Sequence, residues 1–455
     1  MTKPDKIFTK LKNIIQLNKI KNTIQLKKKG TKEEKEAIKT VKRPSVLNLY
    51  FLQIFNIPRM FKKRARIIMI FTVLVLFISG SILLINIIEL FNTDNNARKA
   101  KDGINANDSN SNSNQLKDIE ELIVHKTIIT KINGLEQVIN ILEADLSTGQ
   151  AKVKPVLSHD SLFGFEFLSQ MAERHGAYAA VNGGFFYEYG EPSGMVVIDG
   201  EIFTGSTGEY PVFIVSNSKA ELKQFKTELY LTADRDDADC LRLDNINVAG
   251  KPGEWILYTR RYGMDNRVKQ DNITIVIENG IVKKIIESNE ETQIPKEGML
   301  ATYIKPQGQK STLPVEVTIP FKIGERVKFE YRPNLGTDWQ AYECGSWIVR
   351  DGEIVIGEKD PWVGVLTNRD PRTAIGIKES GEVVLITVDG RQPGYSYGFT
   401  AQELGEFLIE YGVKDAAMLD GGASTEMIIK GELVNRPSFR GSERPLAGGI
   451  IIQVE

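Results

Sequence analysis

Val384-Leu385-Ile386-Thr387-Val388-Asp389-Gly390-Arg391 and Ala416-Ala417-Met418-Leu419-Asp420-Gly421-Gly422-Ala423-Ser424-Thr425 are two apolar runs that each end in Asp-Gly. Between them, Thr400-Ala401-Gln402-Glu403 has the spacing of a capping box. Leu404, Phe407, Leu408 and Tyr411 follow at helical intervals, and Gly412 closes the helix. The pattern predicts strand, helix, strand. If the strands share a sheet, the crossover makes them parallel. Asp389 and Asp420 then leave the sheet at one edge, where open α/β sheets hold ligands. On neighbouring strands, about 5 Å apart, the two carboxylates face one small molecule. Paired carboxylates are what glycoside chemistry needs. The competing reading is that each Asp only caps a turn.

Working outward, the chain from about Ile119 is mostly short strands with Gly-rich turns. Strands are expected at Val138–Asp145, Lys152–Val156, Ala177–Val181, Met195–Ile198, Val212–Val215, Ile273–Ile277, Val315–Ile319, Ile348–Val349, Ile354–Ile356, Ala374–Ile377 and Glu382–Val388. Asp199-Gly200, Asn279-Gly280, Asp351-Gly352 and Lys430-Gly431 read as hairpin turns. Helices are expected only at Phe165–His175, ended by Gly176, and at Thr400–Tyr411. The predicted class is α+β: mixed, largely antiparallel sheets with few helices and one C-terminal βαβ-like unit, preceded by a single transmembrane helix.

That last element comes from the other end of the chain. The formal net charge of −1 hides two opposite parts. Residues 1–66 hold 19 Lys or Arg against 4 Asp or Glu, a net of +15, and the rest of the chain balances them. The border is Ile67–Ile88, an apolar run interrupted only by Thr72, Ser79, Gly80, Ser81 and Asn86. Such a run is long enough to cross a bilayer as a helix. Arg59, Lys62, Lys63, Arg64 and Arg66 precede it, so the positive-inside rule places the N-terminus in the cytoplasm and the chain after about residue 90 outside. The leading region is too long for a cleaved signal peptide. Its few aromatics argue against nucleic acid and for a tail on anionic lipid. The expected organisation is a basic tail (1–66), a membrane span (67–91), an Asn/Ser-rich linker (92–118) and an extracytoplasmic domain (119–455). The lipid bilayer, through residues 67–91, is thus an expected partner.

Cys240 and Cys344 show no paired-Cys metal spacing, and a bond between them is left open. Asp234, Asp236, Asp237 and Asp239 form an acidic cluster that lacks the EF-hand pattern. No metal and no cofactor are implied. His125, His159 and His175 are the only histidines, and none sits in a motif suited to a Ser-His-Asp unit.

Four motifs carry a resemblance. They are Ala179-Ala180-Val181-Asn182-Gly183-Gly184-Phe185-Phe186; Asp370-Pro371-Arg372-Thr373-Ala374-Ile375-Gly376 with Val388-Asp389-Gly390-Arg391; Leu419-Asp420-Gly421-Gly422-Ala423-Ser424-Thr425-Glu426-Met427; and Val434-Asn435-Arg436-Pro437-Ser438 with Glu443-Arg444-Pro445. Together they resemble the phosphodiester glycosidase family. The resemblance implies hydrolysis of the glycosyl–phosphate bond of sugar-1-phosphodiesters, in cell-wall or surface glycopolymers. The chain departs from the family at Ala423, commonly a third glycine, and at Met418, usually polar.

Chemistry then suggests roles. A phosphate leaving group departs without much protonation, so the needs are charge balance on phosphate and support for an oxocarbenium-like sugar. Arg372 and Arg391 suit the first, because the guanidinium fork matches phosphate oxygens. Asp389 and Asp420 suit the second, as nucleophile or as base for water. Asn182, Gly183, Gly184, Gly421, Gly422, Ser424, Thr425, Asn435 and Arg444 are the candidate substrate-binding residues, with Gly421 and Gly422 offering N–H groups to an anion. Structural alternatives stand beside these: Arg372 pairing with an Asp, Asn182 holding a turn, Arg444 pairing near the C-terminus. Two other functions stay open: a glycan-binding or wall-attachment module without chemistry, and a phosphodiesterase that attacks phosphorus.

Overall fold

A computed structural model of the chain describes residues 119–235, 240–306, 317–333 and 336–455. The basic segment 1–66, the apolar run in 67–91 and the linker 92–118 lie outside the described residues, as do Asp236, Asp237 and Asp239. Among the described residues no helix is long and apolar enough to cross a membrane.

Two-residue turns set much of the architecture. At Asp199-Gly200, Asn279-Gly280, Asp351-Gly352 and Lys430-Gly431 both central residues have positive φ, 50–52° and 72–81°. That is the type I′ geometry whose twist matches paired strands. Each turn joins directly paired antiparallel strands. Asn133-Gly134 forms a fifth such turn between Ile123–Ile132 and Leu135–Ala144.

The sheet that carries both Asp-Gly ends has seven strands. In spatial order they are Ile123–Ile132, Leu135–Ala144, Val383–Val388, Arg372–Lys378, Val413–Met418, Trp347–Arg350 and Glu353–Ile354. Neighbours are antiparallel throughout. Val383–Val388 is apolar at nearly every position because both faces are covered. Val384, Ile386 and Val388 pack under helix Ala401–Glu410, with Leu404 and Leu408. Val383 and Leu385 pack against a second sheet, with Val181, Met427, Ile450 and Ile452. That sheet runs Glu432–Leu433, Met427–Ile429, Ala179–Asn182, Gly448–Val454, Ala151–Leu157. Its outer face is covered by helix Leu168–Arg174 through Leu168 and Met171.

Two expectations are corrected here. The α+β class does not hold: the described residues are mostly β-sheet, and helix is confined to short covering segments. The βαβ-like unit of neighbouring strands does not form either. Val383–Val388 and Val413–Met418 do share a sheet and a direction, but Arg372–Lys378 lies between them, antiparallel to both. The reason is local. Arg372–Lys378 and Val383–Val388 are consecutive and close as a hairpin, which occupies the neighbouring position before the helix crosses over. The helix itself is as expected: Thr400 and Glu403 form the capping box, and Gly412 follows with φ +87°.

The described residues between 196 and 343 also form sheets without helix. A five-stranded sheet, Glu201–Thr204, Val196–Ile198, Gln340–Glu343, Thr207–Ser216 and Lys219–Lys226, shares a core with two further sheets built from 228–332. Val317–Ile319, expected as part of a strand, forms none.

Candidate active site

Asn182 is where the two large sheets meet. It ends the strand Ala179–Asn182 and is buried. Its Nδ2 donates to the carbonyls of Asp420 at 2.6 Å and Gly183 at 3.0 Å. Its Oδ1 accepts from the Thr373 hydroxyl at 2.8 Å and from the Glu426 amide at 3.2 Å. One side chain thus fixes three of the four motifs. Gly183 and Gly184 follow because Tyr342 comes too close for a side chain: a Cβ on Gly183 would lie 2.6 Å from the Tyr342 hydroxyl, which accepts from the Gly184 amide at 3.0 Å.

Asp389 continues the strand Val383–Val388 and is buried. Its carboxylate accepts from three donors: Asn435 Nδ2 at 2.8 Å, the Tyr395 hydroxyl at 2.9 Å and the Arg436 amide at 2.9 Å. Burial raises its pKa above the ordinary carboxylate value, and these hydrogen bonds offset only part of the rise. Asn435 spends its remaining capacity on the Thr425 carbonyl at 3.0 Å and the Met427 amide at 2.8 Å. The structure therefore places Asp389 as an anchor for the loops that carry Asn435 and Tyr395.

Asp420 has a different setting. Its amide donates to the Gly183 carbonyl at 3.0 Å, so the backbone is held, and the residue is partly exposed. Burial pushes its pKa up to about 6, opposed by hydrogen bonding from Ser424, by the charge of Arg444 and by the Gly421 amide. Its two ends of support are connected to Asp389 by one chain of contacts: Asn435 to the Thr425 carbonyl, the Thr425 hydroxyl to Thr373 at 3.3 Å, Thr373 to Asn182, and Asn182 to Asp420.

The arginines separate in the same way. Arg372 is the largest fully buried side chain. Its guanidinium donates to the carbonyls of Phe399 at 3.0 Å and Asn368 at 2.8 Å, and it pairs with neither Asp389 nor Asp420. Arg372 lies on the helix-facing side of its strand, where Ala374 also packs, while Thr373 faces the Asn182 junction. Arg391 is half exposed, and its Nε donates to Asp370 at 2.7 Å. Gly422, at φ +60°, is pressed against that guanidinium; a Cβ there would lie 3.2 Å from both terminal nitrogens. Arg444 gives its amide to Glu426 Oε1 at 2.6 Å, and its charge acts on both Asp420 and Glu426.

The two departures from the family pattern fit their places. Ala423 lies in the turn Gly422–Ser424 without a left-handed φ, so its methyl group costs the turn nothing. Met418 is buried in the core beneath the helix, with Leu404 and Val388.

Several residues of the site had no role assigned from sequence. Tyr342 lies 158 positions from Gly184, and nothing local marks the contact. Thr373 and Tyr395 are ordinary strand and loop residues by pattern. Glu426 carried a signal that was passed over, an acidic residue opening the apolar strand Met427–Ile429. It is fully buried, its Oε2 has no partner, and burial pushes its pKa up to about 8. A separate cavity of about 570 Å³, lined by Trp339, Trp347 and Arg350, holds none of the motif residues.

Residues 271–453 match the phosphodiester glycosidase family model, a span that includes Arg372, Asp389, Asp420 and Arg444 but begins after Asn182. A prophage-derived uncharacterized protein of Bacillus subtilis is 33% identical over 112 residues, 25% of this chain and 17% of that protein. Bovine N-acetylglucosamine-1-phosphodiester alpha-N-acetylglucosaminidase is 32% identical over 106 residues, 20% of this chain and 19% of that protein. The chain thus spans about a fifth of the length of the curated relatives it matches. In fold, it resembles a hypothetical protein from Synechocystis with TM-score 0.61 and 18% identity, covering 74% of this chain and 62% of that one. Over residues 271–453 the chain is therefore similar to the phosphodiester glycosidase family.

Proposed function

We propose that the domain hydrolyses the glycosyl–phosphate bond of a sugar-1-phosphodiester, with Asp420 as the carboxylate that acts at the anomeric carbon. The observation that carries this reading is the contrast in supply of donors. Asp389 is fully buried with three donors on its carboxylate, whereas Asp420 is partly exposed and held by Ser424, the Gly421 amide and the charge of Arg444, with a pKa near 6. At neutral pH it is ionised and basic enough to take a proton from water or to attack carbon. The C1–O bond to phosphate breaks, the phosphate monoester leaves with the electron pair, and water adds to C1. Arg444 and Arg391 balance charge on phosphate, while the amides of Gly421 and Gly422 are given to Asp420 and to the Pro371 carbonyl. Asp389, Asn435, Thr373, Thr425 and Asn182 position these groups. Arg372 holds the loop Leu366–Asn368 against Phe399.

The printed name of the bovine relative supports sugar phosphodiesters as the substrate class. The charge step across the apolar run after Arg66 supports action outside the cytoplasm, on cell-wall or surface glycopolymers. Hydrolysis in water enriched in heavy oxygen tests the chemistry. Label in the released sugar is expected; label in the phosphate shows attack at phosphorus and sinks the proposal.

A further inference from the structure

The strand end bearing Asp420 adjoins two surfaces of opposite chemistry. On one side stand Arg391, against Gly422, and Arg444, bonded to Glu426. On the other, the Met418 carbonyl accepts from Gly345 at 2.7 Å, and the next residue, Ser346, donates its hydroxyl to Asp360. Asp360 in turn accepts from the amides of Trp362 at 2.7 Å and Val363 at 3.0 Å, which fixes the turn that carries the indole. Trp362 stacks on Phe185 with ring centres 5.6 Å apart and planes 8° off parallel. Tyr187 meets the edge of Trp362 at 5.3 Å. Phe185 is buried and roots the group, three residues after the Asn182 that holds Asp420.

Trp362 is 37% exposed and Tyr187 53% exposed. Aromatic faces with polar tips, left open beside a reacting bond, suit a partner that is apolar on one face and hydroxylated at its edge. A pyranose ring has that character. The charges beside Tyr187 are Glu188 and Glu191, and no Lys or Arg occurs between Ala177 and Ser218. Carboxylates there repel phosphate and leave a neutral ring undisturbed. We propose that Trp362 and Tyr187 are the platform for the neutral sugar of the substrate, so that the sugar lies on the aromatic side and the phosphate on the side of Arg391 and Arg444. This assignment rests on the sugar-phosphodiester reading given above.

The test uses the full chain and two probes, neutral methyl glycosides (N-acetylglucosaminide and glucoside) and inorganic phosphate, each titrated separately. Trp362→Ala and Tyr187→Ala should each weaken binding of the glycoside by roughly tenfold, the loss of about 1.4 kcal/mol of contact. Trp362→Phe should keep most of it, and phosphate binding should stay within twofold of the unsubstituted protein. Tyr187 is more exposed than Trp362, so its variant reports even where Trp362→Ala disturbs folding. Unchanged glycoside binding in both alanine variants overturns the platform, as does a parallel loss of phosphate binding or the absence of any glycoside binding in the unsubstituted protein. Glycoside binding that depends on Trp362 without hydrolysis of any sugar-1-phosphodiester leaves the platform standing and removes the hydrolase reading instead.

Discussion

Asp389-Gly390 and Asp420-Gly421 are the same dipeptide, each just beyond a strand of one sheet, and the fold puts them to different use. Asp389 is enclosed, with both carboxylate oxygens bonded by Asn435, Tyr395 and the Arg436 amide. Asp420 has its backbone fixed on both sides, by Asn182 and Gly183, while its carboxyl is left at the rim near Arg444. A buried carboxylate that receives three donors has its oxygens committed and organises its surroundings. One whose position is set through its backbone keeps its side chain for chemistry. The contrast teaches that donor supply, more than burial, separates an anchor from a reactive group here.

The strongest way to break the contrast is to neutralise each member in turn. Asp420→Asn should lower kcat by about a thousandfold while thermal stability changes by about 1 kcal/mol or less. The amide keeps the size but lacks the charge, so KM should move little. Near-normal turnover in this variant would remove Asp420 from the chemistry.

Asp389→Asn should do the reverse. The new NH2 group faces donors that have lost an acceptor, so stability should fall by about 3 kcal/mol in chemical denaturation. Activity measured well below the melting temperature should drop far less than in Asp420→Asn. Equal losses of kcat in both variants would erase the distinction between anchor and reactive group.

Varying pH sharpens the contrast from a third carboxyl. Glu426 has a folded-state pKa near 8 against an ordinary value of 4.5. Its raised value favours the protonated form in the fold, so its contribution is full below about pH 4.5 and is lost as pH climbs through about 8. Over that window stability should fall by up to about 1.4 kcal/mol per pH unit. Glu426→Gln should flatten this slope and leave turnover at pH 7 nearly unchanged. Asp420, near 6, should appear separately, as a rise of kcat/KM with pH through about 6. A slope between about pH 6 and 8 that survives in Glu426→Gln would assign it to another group, since the raised pKa of Asp420 accounts for slope only below about 6.

The smallest effect concerns phosphate. Arg391→Lys keeps the charge but loses the fork that also holds Asp370, so KM for phosphodiesters should rise by about tenfold or less with kcat nearly unchanged.

Much of the local structure was legible in the residues. Asn-Gly and Asp-Gly turns demand positive φ at two successive positions, and four hairpins sit where those dipeptides or Lys430-Gly431 predicted them. The capping box at Thr400 and Glu403 and the closing Gly412 depend only on neighbours in the chain, and they form as read. The motifs are drawn together by Asn182 and Asn435, whose side-chain amides reach the carbonyls of Asp420 and Thr425.

What failed was adjacency. The spacing of two strands and a helix gives direction but not neighbourhood, and Arg372–Lys378 took the place between them. Likewise the pattern of Arg372 resembles that of a phosphate ligand, yet its strand parity turns it to the helix side, where only carbonyls meet it.

By itself, the sequence determined the turns, the helix ends, the apolar faces and the set of polar residues available at the site, because these follow from backbone sterics, periodicity and chemical type. Only the tertiary structure decided which Asp is saturated and which is open, that Tyr342 forces glycine at position 183, and that Phe185, Tyr187 and Trp362 stand together. Those outcomes depend on which distant donors and rings arrive at each group, and residues 158 or 177 positions apart carry no local mark of meeting.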